Sequence, residues 1–157
     1  MTLDEMLARE AIRDTIARYT IAGDRLKVDD YAACFTADGV MESPHADPAS
    51  AFRYEGRDVI RAWQTRWRER TLAGERIHAA TFVRHHLATS QIDLSGADTA
   101  KARTYWVAWT DAGADHAGQY HDLFRREGDR WLIAHRVVRE DWRSPDSLFA
   151  AAVTRSR

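Results

Sequence analysis

The chain has 157 residues, and its 23 Lys plus Arg nearly balance its 24 Asp plus Glu, giving a formal net charge of −1. This length fits one domain with a single core that needs neither a disulfide nor a structural metal, and the lone cysteine, Cys34, excludes an internal disulfide and favours a reducing compartment. Because the charges are interleaved along the chain, nucleic acid and an anionic membrane surface are excluded as expected partners.

The N-terminal segment predicts a long first helix. Apolar residues recur at helical spacing from Leu3 to about Ala22, and Asp4 stands where an N-cap is expected. The segment has neither the basic start nor the apolar run of a signal peptide, and nowhere does the chain reach the roughly 18 consecutive apolar residues of a membrane span. We therefore expect a cytoplasmic protein.

Two further helical patterns follow along the chain. Gly23 interrupts the first helix, and "KVDDYAACF" restarts the helical spacing for two turns with Tyr31 on the buried side. After "YEGRD", a third helix is predicted from about Asp58 to Thr71, with Trp63 and Trp67 on its apolar stripe. Helical periodicity therefore dominates the first half of the chain.

The second half of the chain changes to β-strand patterns. Strands are predicted at about 81–94, 99–111, 116–126 and 130–142, separated by the turn sequences "SGAD", "DAGAD" and "REGD". Helices followed by such a meander predict an α+β domain over residues 1–143, in which about three N-terminal helices pack on a curved antiparallel sheet. Residues 144–157 are expected to form a C-terminal tail or a short helix.

Tryptophan is used heavily, with six residues in the chain. Packing in the core or in an interface explains most of them. Strand alternation, however, sends Trp106 and Trp109 to opposite faces of one strand, which an apolar cavity or a subunit interface would account for. The face rich in Trp and Val predicts self-association as a homodimer or homotrimer.

Two adjacent histidines stand in "TFVRHHLATSQIDL". A strand alternates its side chains, so His85 and His86 must point to opposite faces, and a buried one needs a polar partner because an unpaired buried imidazole costs roughly 1–3 kcal/mol. Asp24 ends the first helix, where its carboxylate is either a solvated or capping group or a group that projects toward the interior. If Asp24 meets His85, it fixes the ring tautomer and leaves the other nitrogen free to take a proton.

Other candidate residues lie near the same interior. Tyr19 is either a core tyrosine or a hydrogen-bond donor into a cavity. His116 shares a strand face with Tyr120, whereas His121 takes the opposite face, and an exposed histidine near a turn is the alternative for His116. Phosphate loops, nucleophile elbows, zinc helices and dinucleotide fingerprints are missing, so an enzyme built on this chain is expected to use acid–base chemistry without a metal or cofactor.

Four segments resemble one family, the SnoaL-like, nuclear-transport-factor-like α+β cone proteins that include ketosteroid isomerase, scytalone dehydratase and hexachlorocyclohexane dehydrochlorinase. The segments are "AIRDTIARYTIAGDRLKVDDYAACFTADGVMES", "YEGRDVIRAW", "VRHHLATSQIDL" and "GQYHDLFRREGDRWLIAHRVVREDW". The resemblance covers about Leu3 to Trp142 and implies a cone-shaped sheet that encloses an apolar pocket. It leaves function open, because the fold hosts isomerases, lyases, hydrolases and non-catalytic binders.

The resemblance also carries over individual residues. Asp24 and His85 match the Asp–His pair of the dehydratase and dehydrochlorinase branch, and Tyr19 matches the oxyanion-hole tyrosine of ketosteroid isomerase. The general-base aspartate of that isomerase falls on Ser43. His116 aligns with the second catalytic histidine of scytalone dehydratase when the "REGD" turn takes a one-residue gap. A tyrosine of that dehydratase falls on a glycine here, which argues against the same substrate.

The hypothesis is a cofactor-independent lyase of the dehydratase or dehydrohalogenase type, acting on a small apolar or polyketide-like or aromatic molecule. His85, oriented by Asp24, would remove a proton from an activated carbon, while Tyr19 and His116 would donate hydrogen bonds to the developing oxyanion or leaving oxygen. An isomerase, a non-catalytic binding protein and a structural subunit with a filled cone are the alternatives. The expected pocket wall is formed by Tyr54, Trp63, Tyr120 and Arg139.

Overall fold

The computed structural model describes residues 1–44, 51–75 and 78–149, and within these ranges the chain forms three helices and six strands. The helices are α1 (Leu3–Asp24), α2 (Val28–Ala32) and α3 (Arg57–Leu72). The strands are β1 (Phe35–Ser43), β2 (Phe52–Glu55), β3 (Arg84–Leu94), β4 (Thr99–Thr110), β5 (Gly113–Glu127) and β6 (Arg130–Arg143). The three predicted helices and the four predicted strands, which correspond to β3–β6, are therefore confirmed. Of the predicted tail or helix, residues 144–149 form turns and residues 150–157 lie beyond the described ranges.

Helix α1 begins at Leu3, as predicted, but its N-cap lies two residues earlier than the sequence pattern indicated. Thr2, not Asp4, is the N-cap: its side chain accepts a hydrogen bond from the Glu5 amide, and the Glu5 carboxylate accepts one from the Thr2 amide. With Thr2 as the N-cap of this capping box, Asp4 lies in the first turn, where the helix dipole stabilises its negative charge. Among the helices of the described residues, none is long and apolar enough to cross a membrane.

The sheet is mixed, with strand order β2-β1-β6-β5-β4-β3. All neighbouring strands pair antiparallel except β1 and β6, which are parallel. The four strands that the sequence pattern indicated pair antiparallel as predicted, and the parallel pair arises from β1, which, like β2, that pattern did not indicate. Strand β1 was hidden by Asp38 and Gly39, which are typical of a turn but here lie at a register shift between Phe35 and Val40. Gly39 fits there because a Cβ would come within 3.0 Å of the Ile133 and Thr36 carbonyl oxygens.

The helices cover one face of this sheet and leave the other face open. The covered side holds the apolar core, which includes Ile12, Phe35 and Ile133. Trp106 faces this side and is 5% exposed, whereas Trp109 faces away and is 41% exposed. The predicted separation of these two rings is confirmed.

A buried ion pair lies within this apolar core. The guanidinium of Arg136 on β6 donates to both carboxylate oxygens of Asp122 on β5, at 2.8 and 2.6 Å, and both side chains are fully buried. Burial alone would lower the pKa of Arg136, but the Asp122 carboxylate raises it. The guanidinium also lies between two tyrosine rings, 4.0 Å from the Tyr19 centroid and 4.1 Å from the Tyr120 centroid. The pair therefore joins two strands to helix α1.

We predict that Asp122→Asn destabilises the fold by about 3–5 kcal/mol, because it leaves the Arg136 charge buried without its counterion. Urea unfolding measures the loss. Asp38→Asn is the matched control, since Asp38 pairs with Arg125 at the exposed surface and its loss should cost only a small fraction of that amount. Equal losses of unfolding free energy in the two variants would show that the buried ion pair contributes no more to stability than the exposed one.

Candidate active site

A cavity of about 1010 Å³ opens between the helices and the covered face of the sheet. Its volume is at the upper end of the roughly 300–1,000 Å³ that small-molecule pockets occupy. Gln64 on α3, 3% exposed, adds an amide to a mainly aromatic wall. The aromatic lining consists of Tyr19, Tyr31, Phe52, Trp63, Trp67, Phe82, Trp106, Tyr120 and Phe149.

Asp24 and His85 meet at one side of this cavity. Oδ1 of Asp24 accepts a hydrogen bond from His85 Nδ1 at 2.6 Å, and Oδ2 accepts one from the His85 backbone amide at 3.0 Å. One carboxylate at the end of α1 therefore holds both the ring and the backbone at the start of β3. Because a carboxylate is an acceptor, the neutral His85 ring carries its proton on Nδ1 and leaves Nε2 bare.

The neighbouring histidine takes the opposite side of the sheet, as strand alternation predicted. His86 is exposed, and its ring lies 6.0 Å from the Trp109 ring on the open face. Only His85 of the two lines the cavity.

A second Asp–His pair faces the first. Nδ1 of His116 lies 2.7 Å from Asp115 Oδ1, with Asp115 fully buried and His116 8% exposed. Neighbours in a regular strand point to opposite faces, but β5 has a bulge here: Ala108 opposes His116 and Trp109 opposes Ala114, so Asp115 is the extra residue. The bulge turns two consecutive side chains to the covered side.

The rings of His85 and His116 lie close together in the cavity wall. Their ring centroids are 6.2 Å apart and their ring planes are nearly perpendicular. The centroid of the Trp106 ring lies 5.8 Å from that of His85 and 5.5 Å from that of His116. Gly118 makes room for that indole, because a Cβ there would lie 2.8 Å from Trp106 Cζ2 and 1.9 Å from the Arg139 carbonyl oxygen. The Trp106 ring therefore packs against both histidine rings and supports their positions.

The surroundings of His116 favour its neutral form. Burial lowers the pKa of His116, and the nearby charges of His85 and Arg143 lower it further, whereas the hydrogen bond to Asp115 opposes them. The pKa of Asp115 is lowered because hydrogen bonds from Ser147, His116 and the Leu148 amide outweigh its burial. At neutral pH the Nε2 of His116 is therefore an acceptor, and only the protonated ring can donate from it.

Tyr19 presents a hydroxyl to the cavity. The Tyr31 hydroxyl donates to the Tyr19 oxygen at 2.8 Å, so the hydrogen of Tyr19 is available to a cavity ligand; Met41 Sδ, at 3.7 Å, is a weak competitor. Burial raises the pKa of Tyr19 despite the opposing charge of Arg136, so the phenol stays protonated.

Of the four residues predicted to form the pocket wall, two line the cavity and two do not. Trp63 and Tyr120 line the cavity, whereas Tyr54 and Arg139 do not. Arg139 is exposed on the open face, because alternation along β6 turns Val138 and Glu140 inward instead. The Tyr54 ring is tilted against the Trp63 ring, with 5.4 Å between the centroids, and Trp63 and Phe52 line the cavity instead. The expectation that Tyr54 and Arg139 form the pocket wall was wrong.

Sequence reasoning missed several residues of this site. Asp115 was missed because the sequence pattern placed it in the "DAGAD" turn, whereas it belongs to β5 and lies at the irregular pairing of that strand. Tyr31 was recognised only as a buried helix residue, and Gln64 carried no signal beyond its helical position. Within the described ranges, no group of three or more His, Cys, Asp or Glu side chains is arranged to hold a metal ion.

Comparison with known proteins gives one family and several structural neighbours. The model of the SnoaL-like domain matches residues 4–137. A search of curated proteins found no match. Among solved structures, the chain is similar to a candidate scytalone dehydratase from Novosphingobium aromaticivorans, with 23% identity, 100% of each chain covered and a TM-score of 0.70.

Two further solved structures have the same fold. One is hexachlorocyclohexane dehydrochlorinase LinA-type3 from Novosphingobium barchaimii, with 15% identity, 90% of this chain and 92% of that chain covered, and a TM-score of 0.70. The other is the beta subunit of a proposed aromatic-ring-hydroxylating dioxygenase from Novosphingobium aromaticivorans, with 19% identity, 94% and 97% covered, and a TM-score of 0.71. At these identities the likeness shows the fold alone.

We predict that the fold loses stability as the pH falls below about 6.5, the ordinary imidazole pKa. The pKa of His116 is lowered in the folded protein, so the unfolded chain takes up the proton first. The stability that neutral His116 contributes is fully present above the ordinary imidazole pKa, and it is lost as the pH falls toward the lower pKa that His116 has in the folded protein. Urea unfolding at pH 8 and pH 5.5 measures the change. His116→Gln should reduce this pH dependence, and His78 and His121, whose pKa values are also lowered in the fold, should keep the rest. An unchanged pH dependence in that variant would contradict the assignment.

Proposed function

The chain belongs to the SnoaL-like domain family, and from that premise and the geometry of its cavity we propose that it is a cofactor-independent lyase of the dehydratase or dehydrohalogenase type. One observation carries the proposal: two imidazoles, each held at Nδ1 by a carboxylate, border the same largely aromatic cavity with Nε2 unengaged among the described residues. Such a pair supplies a base and an acceptor or donor within one substrate's reach.

His85 is the proposed base. Its bare Nε2 takes a proton from a carbon that a carbonyl or a neighbouring leaving group makes acidic. The imidazolium that forms is stabilised by Asp24, which contacts the ring at 2.6 Å and is only 7% exposed. The partial exposure of the His85 side chain, 28%, leaves the ring within reach of a molecule in the cavity.

The electron pair left on the carbon forms the new double bond and expels the leaving group from the adjacent carbon. A leaving hydroxide takes up the proton that His85 has just accepted and departs as water, which restores the neutral base, whereas a halide needs no proton. Tyr19 is the proposed hydrogen-bond donor to this oxygen or to an enolate oxygen, because Tyr31 already satisfies its acceptor side. His116 holds a substrate hydroxyl by accepting its hydrogen, and it donates only when protonated. The hydroxyl donor in the wall favours dehydration over loss of halide.

The lining indicates the class of substrate. Flat aromatic surfaces such as Trp63 and Trp106 suit a planar, mainly apolar molecule, and Gln64 offers an amide to an oxygen substituent of that molecule. Together these groups suit an aromatic or polyketide-like substrate that carries carbonyl or hydroxyl groups.

Three alternatives are weaker. Isomerisation of the ketosteroid type lacks its aspartate base, since Ser43 lines the cavity at the corresponding position. A structural subunit would need no cavity of this size, and a non-catalytic binder would need no carboxylate behind each imidazole. These observations favour the lyase.

Comparing His85→Ala with His86→Ala tests the proposal. We expect His85→Ala to lower turnover of hydroxylated elimination substrates by about 10²- to 10⁴-fold, because the base is lost, while ligand binding measured by tryptophan fluorescence persists. His86→Ala is the matched control and should keep full turnover, since that ring lies on the open face. Binding without turnover in the natural chain, or equal losses in both variants, would overturn the lyase assignment.

We also propose that the open sheet face binds a second copy of the chain. Tyr105, Trp109 and Trp142 are 47%, 41% and 49% exposed there. Exposed charges of both signs, including Lys101 and Asp141, lie on the same strands, so a second copy can supply both an apolar contact and opposite charges.

Light scattering after size exclusion tests this self-association. The natural chain should elute as a dimer or trimer, and Trp109→Ser should shift the mass toward the monomer. Leu7→Ser is the control, because Leu7 is an apolar residue at least as exposed as Trp109, at 59%, but lies on α1. A monomeric natural chain would disprove the proposal.

A further inference from the structure

The carboxylate of Asp115 has more partners than an imidazole alone requires. Oδ1 accepts hydrogen bonds from His116 Nδ1 at 2.7 Å and from Ser147 Oγ at 2.6 Å. Oδ2 accepts from the Leu148 amide at 2.7 Å and from Thr110 Oγ1 at 3.2 Å. Two of these four donors belong to residues that follow the last strand, and all four meet at one fully buried carboxylate.

The segment after β6, residues 144–149, is tied to the site at further points. The Ser144 amide donates to the Asp115 carbonyl oxygen at 2.8 Å, and the Ala79 amide donates to the Leu148 carbonyl oxygen at 2.9 Å. Phe149 lies with its ring 5.0 Å from the His116 ring and lines the cavity. The segment therefore forms part of the cavity wall and contacts one histidine of the site.

We propose that Asp115 is a positioning residue that couples the docking of segment 144–149 to the orientation of the His116 ring. Docking supplies two donors to the carboxylate, which offset the cost of burying its charge and fix it in place. The fixed carboxylate holds Nδ1 of His116 and so directs Nε2 into the cavity. If segment 144–149 undocks, the Asp115 carboxylate loses two hydrogen-bond donors, and the His116 ring loses a fixed partner for Nδ1.

The coupling must run in both directions, because linkage between two interactions at one group is reciprocal. Removing the His116 ring should loosen the segment, and loosening the segment should release the ring. Its consequence for turnover rests on the proposed function, but the coupling itself is a property of the fold and is measured without a substrate.

The test combines Ser147→Ala and its matched control Ser144→Ala. Ser147 Oγ donates to the Asp115 carboxylate, whereas Ser144 Oγ accepts a bond from the Asp146 amide and contacts neither oxygen of that carboxylate. Hydrogen exchange reports docking at the Leu148 amide, and long-range ¹H–¹⁵N NMR reports which ring nitrogen of His116 carries the proton.

We expect Ser147→Ala to speed exchange of the Leu148 amide by about tenfold, as loss of a bond to a charged group implies, and to shift the ring nitrogens of His116. Ser144→Ala should change neither signal. His116→Gln should speed the same amide exchange in return. A faster exchange in Ser147→Ala with unaltered His116 nitrogens, or an unaltered Leu148 amide in His116→Gln, would overturn the coupling.

Asp115→Asn gives the largest perturbation, and the serine variants keep the test decisive if that variant does not fold. A lyase failure and a coupling failure are distinguishable: the first shows as absent turnover in the natural chain with the NMR and exchange responses intact, and the second shows in those responses alone.

Discussion

The site depends on one interaction, a carboxylate that holds Nδ1 of an imidazole and leaves Nε2 directed at a cavity. Asp24 provides the first example at an unfavourable place, the C-terminal end of α1, where the helix dipole opposes a negative charge. Two hydrogen bonds from His85, one from the ring and one from the backbone, offset that cost. The same bonds attach the end of a helix to the start of a strand, so the chemistry and the packing of the two elements are inseparable.

The second pair is built by different means. A bulge in β5 places Asp115 beside His116, and the buried carboxylate is stabilised by donors from three parts of the chain. Deeper in the core, the Arg136–Asp122 ion pair lies against the ring of Tyr19 and fixes the phenol that faces the cavity. Buried polar groups held by ion pairs and hydrogen bonds thus give an otherwise aromatic cavity its fixed chemical groups.

Much of this arrangement was readable from the sequence. Helical spacing gave the three helices, and turn sequences gave the last four strands. Strand alternation separated His85 from His86 and Trp106 from Trp109, while the contact of Asp24 with His85 rested on resemblance to a family and not on spacing. The rest depended on irregular pairing. Bulges make Asp115 face inward and disguise β1 as a turn, and the parallel pairing of β1 with β6 is a long-range event with no local signature. Arg139 lies outside the cavity wall for a simpler reason, since strand alternation on β6 turns Val138 and Glu140 inward and Arg139 outward.

Long-range ¹H–¹⁵N NMR on the natural chain, with signals assigned from the single histidine variants, measures directly which nitrogen of each imidazole carries the proton. We expect the neutral rings of His85 and His116 both to carry their proton on Nδ1 and to have a bare Nε2. A proton on Nε2 of neutral His85 would show that Asp24 does not orient the ring, and would contradict a base at this position.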